Sequence, residues 1–267
     1  GEAELSAIGA IQLDVDFDLA QRSNIVGVEK LSVVVAAAQP IAAVQSLQAF
    51  EFSPKSGELK AADPRRELLG ITLQGLPLAW ARPFLKDIAV SGGDVRGEFV
   101  ATASGGGVTV RSKTPLAAAG VSVSQSGKPL LSGVDFSVNV TGDYTPQGWQ
   151  AELAGLTAKS GGVLFLALDA KAGQLAGKDQ PLTATGRLSA HMPALLAQPA
   201  ASHALVLTSG EAAAEFIARL ASRKEVQAKI TLVNLIADPK AGAVKLPAIS
   251  ADLRADIAAN GQIALNA

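Results

Sequence analysis

The 267-residue chain contains no cysteine, so disulfides and thiolate metal sites are excluded. That absence fits any compartment, a bacterial envelope included. Aromatic residues are only 4% of the chain although hydrophobic residues are 48%. Ala, Val, Leu, Gly and Ser carry the apolar content, and such small side chains suit thin, closely packed layers better than a bulky core. Charge of one sign is also missing: the formal net charge is −1, with acids and bases interspersed. No basic stripe exists to neutralise phosphates, which removes nucleic acid as a partner. The densest basic spot, Arg65-Arg66 after Pro64, reads as a solvated turn. No run approaches the roughly 18 apolar residues that a spanning helix needs, and the piece reads as soluble. It opens on Gly1 rather than Met, as expected of a piece trimmed from a longer protein, so a missing leader says nothing about the native chain.

Motifs that carry chemistry are equally scarce. There is no G-x-S-x-G elbow, no P-loop and no G-x-G-x-x-G fingerprint. His191 and His203 lack a nearby carboxylate or thiol, so neither catalysis nor zinc is supported and both read as solvated loop residues. Asp14, Asp16 and Asp18 resemble the start of a calcium loop, but Leu19 and Ile25 stand where an EF-hand requires Gly and Glu. On a strand these three carboxylates face solvent together. No catalytic residue, metal ligand or cofactor is assigned, and the chain is read as a non-enzyme.

What is present is alternation. Asp14 to Leu19 alternates strictly between polar and apolar, the period of a strand with one buried face. Val95, Gly97, Phe99 and Ala101 alternate with polar neighbours, and Val121 and Val123 alternate with serines. Val134, Phe136, Val138 and Val140 oppose Asp135, Ser137 and Asn139, and Leu182, Ala184 and Leu188 oppose Thr183, Thr185 and Arg187. Turn clusters separate these runs at Ser104–Gly107, Ser126–Pro129, Thr145–Gly148 and Ser160–Gly162. Together they predict an antiparallel β protein. Val163 to Leu168 is apolar on both faces, which implies a strand covered on both sides or one whose second face meets something greasy; it is assigned to a central strand beneath a helix. Trp80 is placed in a short helix packed on the sheet, and Trp149 at the end of the apolar face.

The chain also repeats itself. Leu76 to Ser104 is echoed by Met192 to Ser222, with Pro77 and Pro83 answered by Pro193 and Pro199, and Glu98-Phe99 by Glu215-Phe216. Lys128 with Lys245, Asp135 with Asp252 and Val140 with Ile257 keep the same phase, a period of about 117 residues. Pro77 to Lys86 and Pro193 to Ala200 are expected to be short helices capping a sheet edge. Glu211 to Lys229 has the composition of a helix. Its echo contains Gly97 and a triple-glycine turn, so two strands joined by a turn at Ser222 to Glu225 are expected instead.

A sheet with one apolar face must fold into a sandwich, close as a barrel or curl into a trough. Tandem repetition favours the open trough, because repeated units extend a curved sheet. A continuous apolar trough lined by small aliphatic groups suits acyl chains.

The phrase L-P, a short helix, then S-G-G-x-x-x-G-E-F-x-x-x-A, followed by KPLLSGVDFSVNVTGDY and its echo KLPAISADLRADIAANG, resembles the AsmA-like proteins of the bacterial envelope. That family is related to TamB and to the bridge-like repeating β-groove lipid carriers. The resemblance covers most of the chain from about Leu76 and implies a periplasmic β groove. It further implies an inner-membrane anchor by an N-terminal helix not included here, and a part in phospholipid transport or outer-membrane assembly. It supplies no catalytic residues.

These readings set the expectations: a mainly β fold, a long curved antiparallel sheet of tandem repeats of about 117 residues, with short capping helices. Residues 1–75 are assigned to the end of a preceding repeat, 76–191 to one unit and 192–267 to an incomplete second, or all to one elongated domain. Val95, Phe99, Val121, Val123, Val134, Phe136, Val138 and Val140 are the candidate groove lining, with a phospholipid or other acyl-chain lipid as partner. The alternative is a structural or interaction β-solenoid of the envelope that binds no lipid.

Overall fold

In the computed structural model, residues 10–85, 87–177, 180–201, 206–221, 224–237, 244–257 and 263–266 are described. The chain is mainly β, and its strands join one antiparallel sheet. They are β1 (Gln12–Arg22), β2 (Ile25–Ala36), β3 (Pro40–Ser46), β4 (Phe50–Phe52), β5 (Leu59–Ala61), β6 (Glu67–Leu76), β7 (Ile88–Ser91), β8 (Val95–Ser104) and β9 (Gly107–Gln125). There follow β10 (Lys128–Thr145), β11 (Gly148–Ser160), β12 (Val163–Leu175), β13 (Leu182–His191), β14 (Leu207–Leu220), β15 (Lys224–Ala237), β16 (Val244–Lys245), β17 (Ile249–Ile257) and β18 (Ile263–Asn266). A 3₁₀ segment, Leu78–Phe84, lies between β6 and β7, and a short α-helix, α1 (Met192–Leu196), between β13 and β14.

The main ladder runs β1-β2-β3-β6-β8-β9-β10-β11-β12-β13-β14-β15-β17-β18, every neighbour antiparallel. Four short strands are side pieces: β4 joins β2 and β5, β7 joins β9, and β16 joins β15. Among the described residues β1 pairs only with β2 and β18 only with β17, so the sheet is not closed into a barrel. Strand pairing joins residues on either side of the assigned boundaries, β6 to β8 with a register shift between Leu73 and Leu76, and β13 to β14.

The expected turns appear where Gly and its neighbours permit positive φ. Ser126 and Gly127, at +49° and +78°, join β9 to β10 in the tight hairpin geometry that matches strand twist. Bulges interrupt several ladders, and each leaves an N–H without a strand partner. Side chains supply the missing acceptors: Asp135 for Gly120 at 2.8 Å, Asp169 for Gly155 at 2.6 Å, and Ser122 for Gly133 at 3.1 Å.

Glu211 to Lys229 is indeed strand against its composition. β14 alternates face by face, and the next strand begins at Lys224, within the expected turn; residues 222–223 lie outside those described. Propensity loses to pairing, because β14 is hydrogen-bonded on both sides, to β13 and β15.

The helices require one correction. α1 does not cap a sheet edge; it packs on the face of β12, β13 and β14. Ala194 and Leu195 rest on a cluster of Val134, Ala158 and Phe165, the last only 2% exposed. The chain beyond α1 continues to β10, where the Ala200 N–H donates to the Leu130 carbonyl at 3.1 Å. Beside it the Ser132 N–H donates to Gln198 Oε1 at 3.0 Å, and Gln198 is itself buried. Residues 192–201 thus strap β13 to β10, three strand spacings or about 14 Å apart. Val163 to Leu168 lies in a strand beneath a helix as expected, but it is covered on one face only: Phe165 is buried there, while Val163 and Leu164 are exposed.

Buried volume is otherwise sparse. The accessible surface is 16446 Å², against roughly 10,900 Å² for a compact protein of this mass. A single sheet without a full second layer accounts for the excess. A local exception to its one-sided burial occurs at Leu68 and Val100, which are opposite in parity to Leu69 and Ala101 yet buried. Nearby, the Gln48 amide holds the loop before β6 through the carbonyls of Asp63, Arg66 and Glu67. Among the described residues, no helix is long and apolar enough to cross a membrane.

Candidate functional site

Residues directly opposite each other on paired strands share a face, so register shows how far an apolar surface extends. One unbroken row crosses eight strands: Ala118, Phe136, Ala158, Leu166, Ala190, Ala212, Leu232 and Ile249. A second, on the same face, is Val140, Leu153, Ala170, Gly186, Phe216, Ala228 and Leu253. Toward the other side of the sheet, Val15, Val33, Val44, Ile71 and Phe99 form a third. At about 4.8 Å per strand the first row is about 34 Å long. Polar side chains are nearly absent from these rows. Most of their members are half-buried rather than buried, in keeping with a face that the strap covers only at one end.

The eight candidate residues all lie on this face, and the structure gives them two roles. Val134 pairs with Val121; both are buried, and Val134 belongs to the cluster beneath the strap. Those two are core. Phe99 lies between Ile71 and Ser112, Phe136 between Ala118 and Ala158, and Val138 opposite Leu116. Val140 faces Leu153, Val95 faces Leu76, and Val123 lies between Leu131 and Val90. These six are half-buried, whereas Asp135 and Asn139 on the reverse face are exposed and Glu98 is half-buried.

Sequence reasoning missed the centre of the second row. Gly186 and Phe216 are directly opposite, and a Cβ on Gly186 would meet Phe216 Cζ at 2.4 Å. The ring therefore lies over the glycine, filling the place of an absent side chain. The alternation of Leu182 to Leu188 and the echo of Phe99 in Phe216 were the available signals. Gln198, an isolated polar residue between Ala197 and Pro199, gave none.

The reverse face is charged in a patterned way. Asp169, Arg187, Glu215, Lys229 and Asp252 form one cross-strand row with alternating sign. Arg187 reaches Glu215 at 3.0 Å, Lys171 reaches Glu152 at 3.1 Å, and Arg254 reaches Glu225 at 3.4 Å. A furrow of about 660 Å³ follows this row, and its lining includes the five charges of the row together with the apolar residues Phe216, Ile217 and Leu253. Opposite charges across neighbouring strands stabilise the pairing. The exposed pairs are worth little individually.

The other singled-out residues take structural places. Asp16 pairs with Lys30 on β2, and Asp14 accepts from the Gln12 amide. His191 occupies the N-cap position of α1 without a side-chain capping bond, and is exposed; His203 lies outside the described residues. Trp80 is half-buried in the 3₁₀ segment, and Trp149 stands opposite Tyr144 at one end of the apolar face. Arg65 and Arg66 are exposed in a turn, with the Arg65 N–H bonded to Asp63 Oδ1 at 2.9 Å. Among the described residues no group of three or more His, Asp or Glu side chains is arranged to hold a metal. Comparisons with protein-family models, with curated proteins and with solved structures return no match to this chain.

Proposed function

We propose that the apolar face is a lipid-binding groove, and that the protein is a non-enzymatic envelope component that binds or passes acyl-chain lipids between membranes. The observation that carries this reading is the register. Aliphatic rows continue from strand to strand over tens of ångströms, while the reverse face is neutralised by its own ion pairs. A long lining of Ala, Val and Leu offers dispersion contacts everywhere and hydrogen-bond specificity nowhere, which suits an alkyl chain. Curvature of the sheet into a trough belongs to this proposal, as does tandem repetition. The strand–helical segment–strand arrangement occurs twice, around Leu78–Phe84 and around Met192–Leu196. The resemblance to AsmA-like proteins adds a periplasmic location and an inner-membrane anchor, with a phospholipid as cargo.

One observation favours the scaffold reading instead: beneath the strap the same face is ordinary core, with Phe165 and Val134 shielded. Native mass spectrometry of the purified protein, followed by lipid extraction, separates the two. Co-purifying phospholipid or fatty acid is expected for the groove. A protein that stays bare, and takes up no lipid from vesicles, belongs to the scaffold reading.

A further inference from the structure

Among the described residues Gln198 is the one buried polar side chain, 5% exposed beneath the strap. Its backbone N–H donates to the Leu195 carbonyl at 3.1 Å, and its carbonyl accepts from the Ala201 N–H at 2.9 Å. Its side-chain Oε1 accepts from the Ser132 N–H at 3.0 Å. That leaves Nε2, which carries two donor hydrogens, and no described residue accepts from it. Buried polar groups are almost always paired, because a donor withdrawn from water loses its hydration without replacement. An amide held in this state marks a place for an acceptor that arrives from outside the chain.

The surroundings select that acceptor. Residues 192–201 carry no charged side chain, and neither do residues 129–134 of β10 beside them. A phosphate or a free carboxylate held there would meet no cation, and an uncompensated charge is costly away from water. A neutral carbonyl oxygen needs none. The approach is open at Ser132 and Gly133, which are exposed although Gln198 is not. Along β10, Val134 is buried and Phe136 half-buried, the latter about 13 Å from Ser132. An acyl ester has both parts in this order, a carbonyl joined to an alkyl chain. We infer that Gln198 anchors the ester carbonyl of an acyl lipid: Nε2 donates to that oxygen while the chain lies over Phe136 and Val138. The assignment rests on the lipid-groove reading and gives the featureless aliphatic rows one polar fixed point.

The test uses the full chain and two lysophospholipids of one headgroup and chain length, one ester-linked and one ether-linked. They differ only in the carbonyl, and because they share a phosphate, a headgroup contact affects both alike. The parent should bind the ester form about fivefold more tightly, as expected for one hydrogen bond. Gln198→Glu keeps an acceptor for the Ser132 N–H and, ionised, has no donor; it should bind the two lipids equally and keep the parent circular dichroism spectrum. In NMR spectra of the parent, the Gln198 side-chain amide signals should shift with the ester lipid and stay in place with the ether lipid. That measurement needs no variant, so it decides the matter even where Gln198→Glu fails to fold. Equal affinities of the parent for the two lipids, with the Gln198 signals unmoved, would overturn the assignment and leave the groove standing. Failure of the parent to bind either lipid would remove the groove reading and this assignment with it.

Discussion

Replacing Phe165 by Ala should cost far more stability than replacing Phe136 by Ala, although both rings lie on the same face. Phe165 is 2% exposed beneath Ala194 and Leu195 and in contact with Val134 and Ala158. Its removal forfeits the transfer free energy of a whole ring and leaves a cavity that the strap cannot fill, for a loss of about 3–5 kcal/mol. Phe136 packs against the margin of the same cluster and is only half-buried. Water already reaches part of its ring and no closed cavity forms, so its loss should be about 1–2 kcal/mol. Urea denaturation followed by circular dichroism measures both. The slope should stay the same, so that the midpoint shift reports stability. Equal losses would mean that the face near Phe136 is sealed by a second layer, and the account of an uncovered apolar sheet would be wrong.

Gly186→Ala should cost about 1–3 kcal/mol, since the new methyl meets both the Phe216 ring and the Asp169 carbonyl oxygen at 2.8 Å. In a Phe216→Ala background the same change should cost less, and a double-mutant cycle in thermal melts measures the coupling. Gln198→Ala leaves the Ser132 N–H without its acceptor and should cost about 1–3 kcal/mol, with faster hydrogen exchange at 130–132. Arg187→Ala, which breaks an exposed pair with Glu215, should change stability by less than about 1 kcal/mol, and the difference should shrink in 1 M salt.

Much of the sheet was legible because period-two alternation and glycine turns are local signals. Asp14 to Leu19 and Val134 to Val140 lie in strands as expected, although β1 is exposed on both faces rather than buried on one, and Ser126-Gly127 turns as its residue types demand. The strand identity of Glu211 to Lys229 was legible only by comparison with Asp94 to Val110. Its composition points to helix, and the pairing with β13 and β15 that overrides it is not local. Other features depend on pairing and could not be read along the chain. The bulge at Gly155 is stabilised by Asp169, fourteen residues on and one strand over. The strap reaches β10 through Gln198, sixty-six residues from Ser132, and no periodicity marks a single buried amide. For the same reason Val121 and Val134 read as lining residues from their parity alone, while the structure buries both, Val134 beneath the strap.

The most direct test of the central claim places one carboxylate on each side of β10. Val138 is half-buried on the apolar face opposite Leu116, and its neighbour Asn139 is exposed on the reverse. A charged group in apolar surroundings is costly to desolvate, so Val138→Asp should abolish or sharply reduce binding of a fluorescent fatty acid or phospholipid. Asn139→Asp should bind like the parent, and circular dichroism should show both variants folded. Equal lipid binding by the two folded variants, or none by the parent protein, would contradict the groove and leave the sheet as a scaffold.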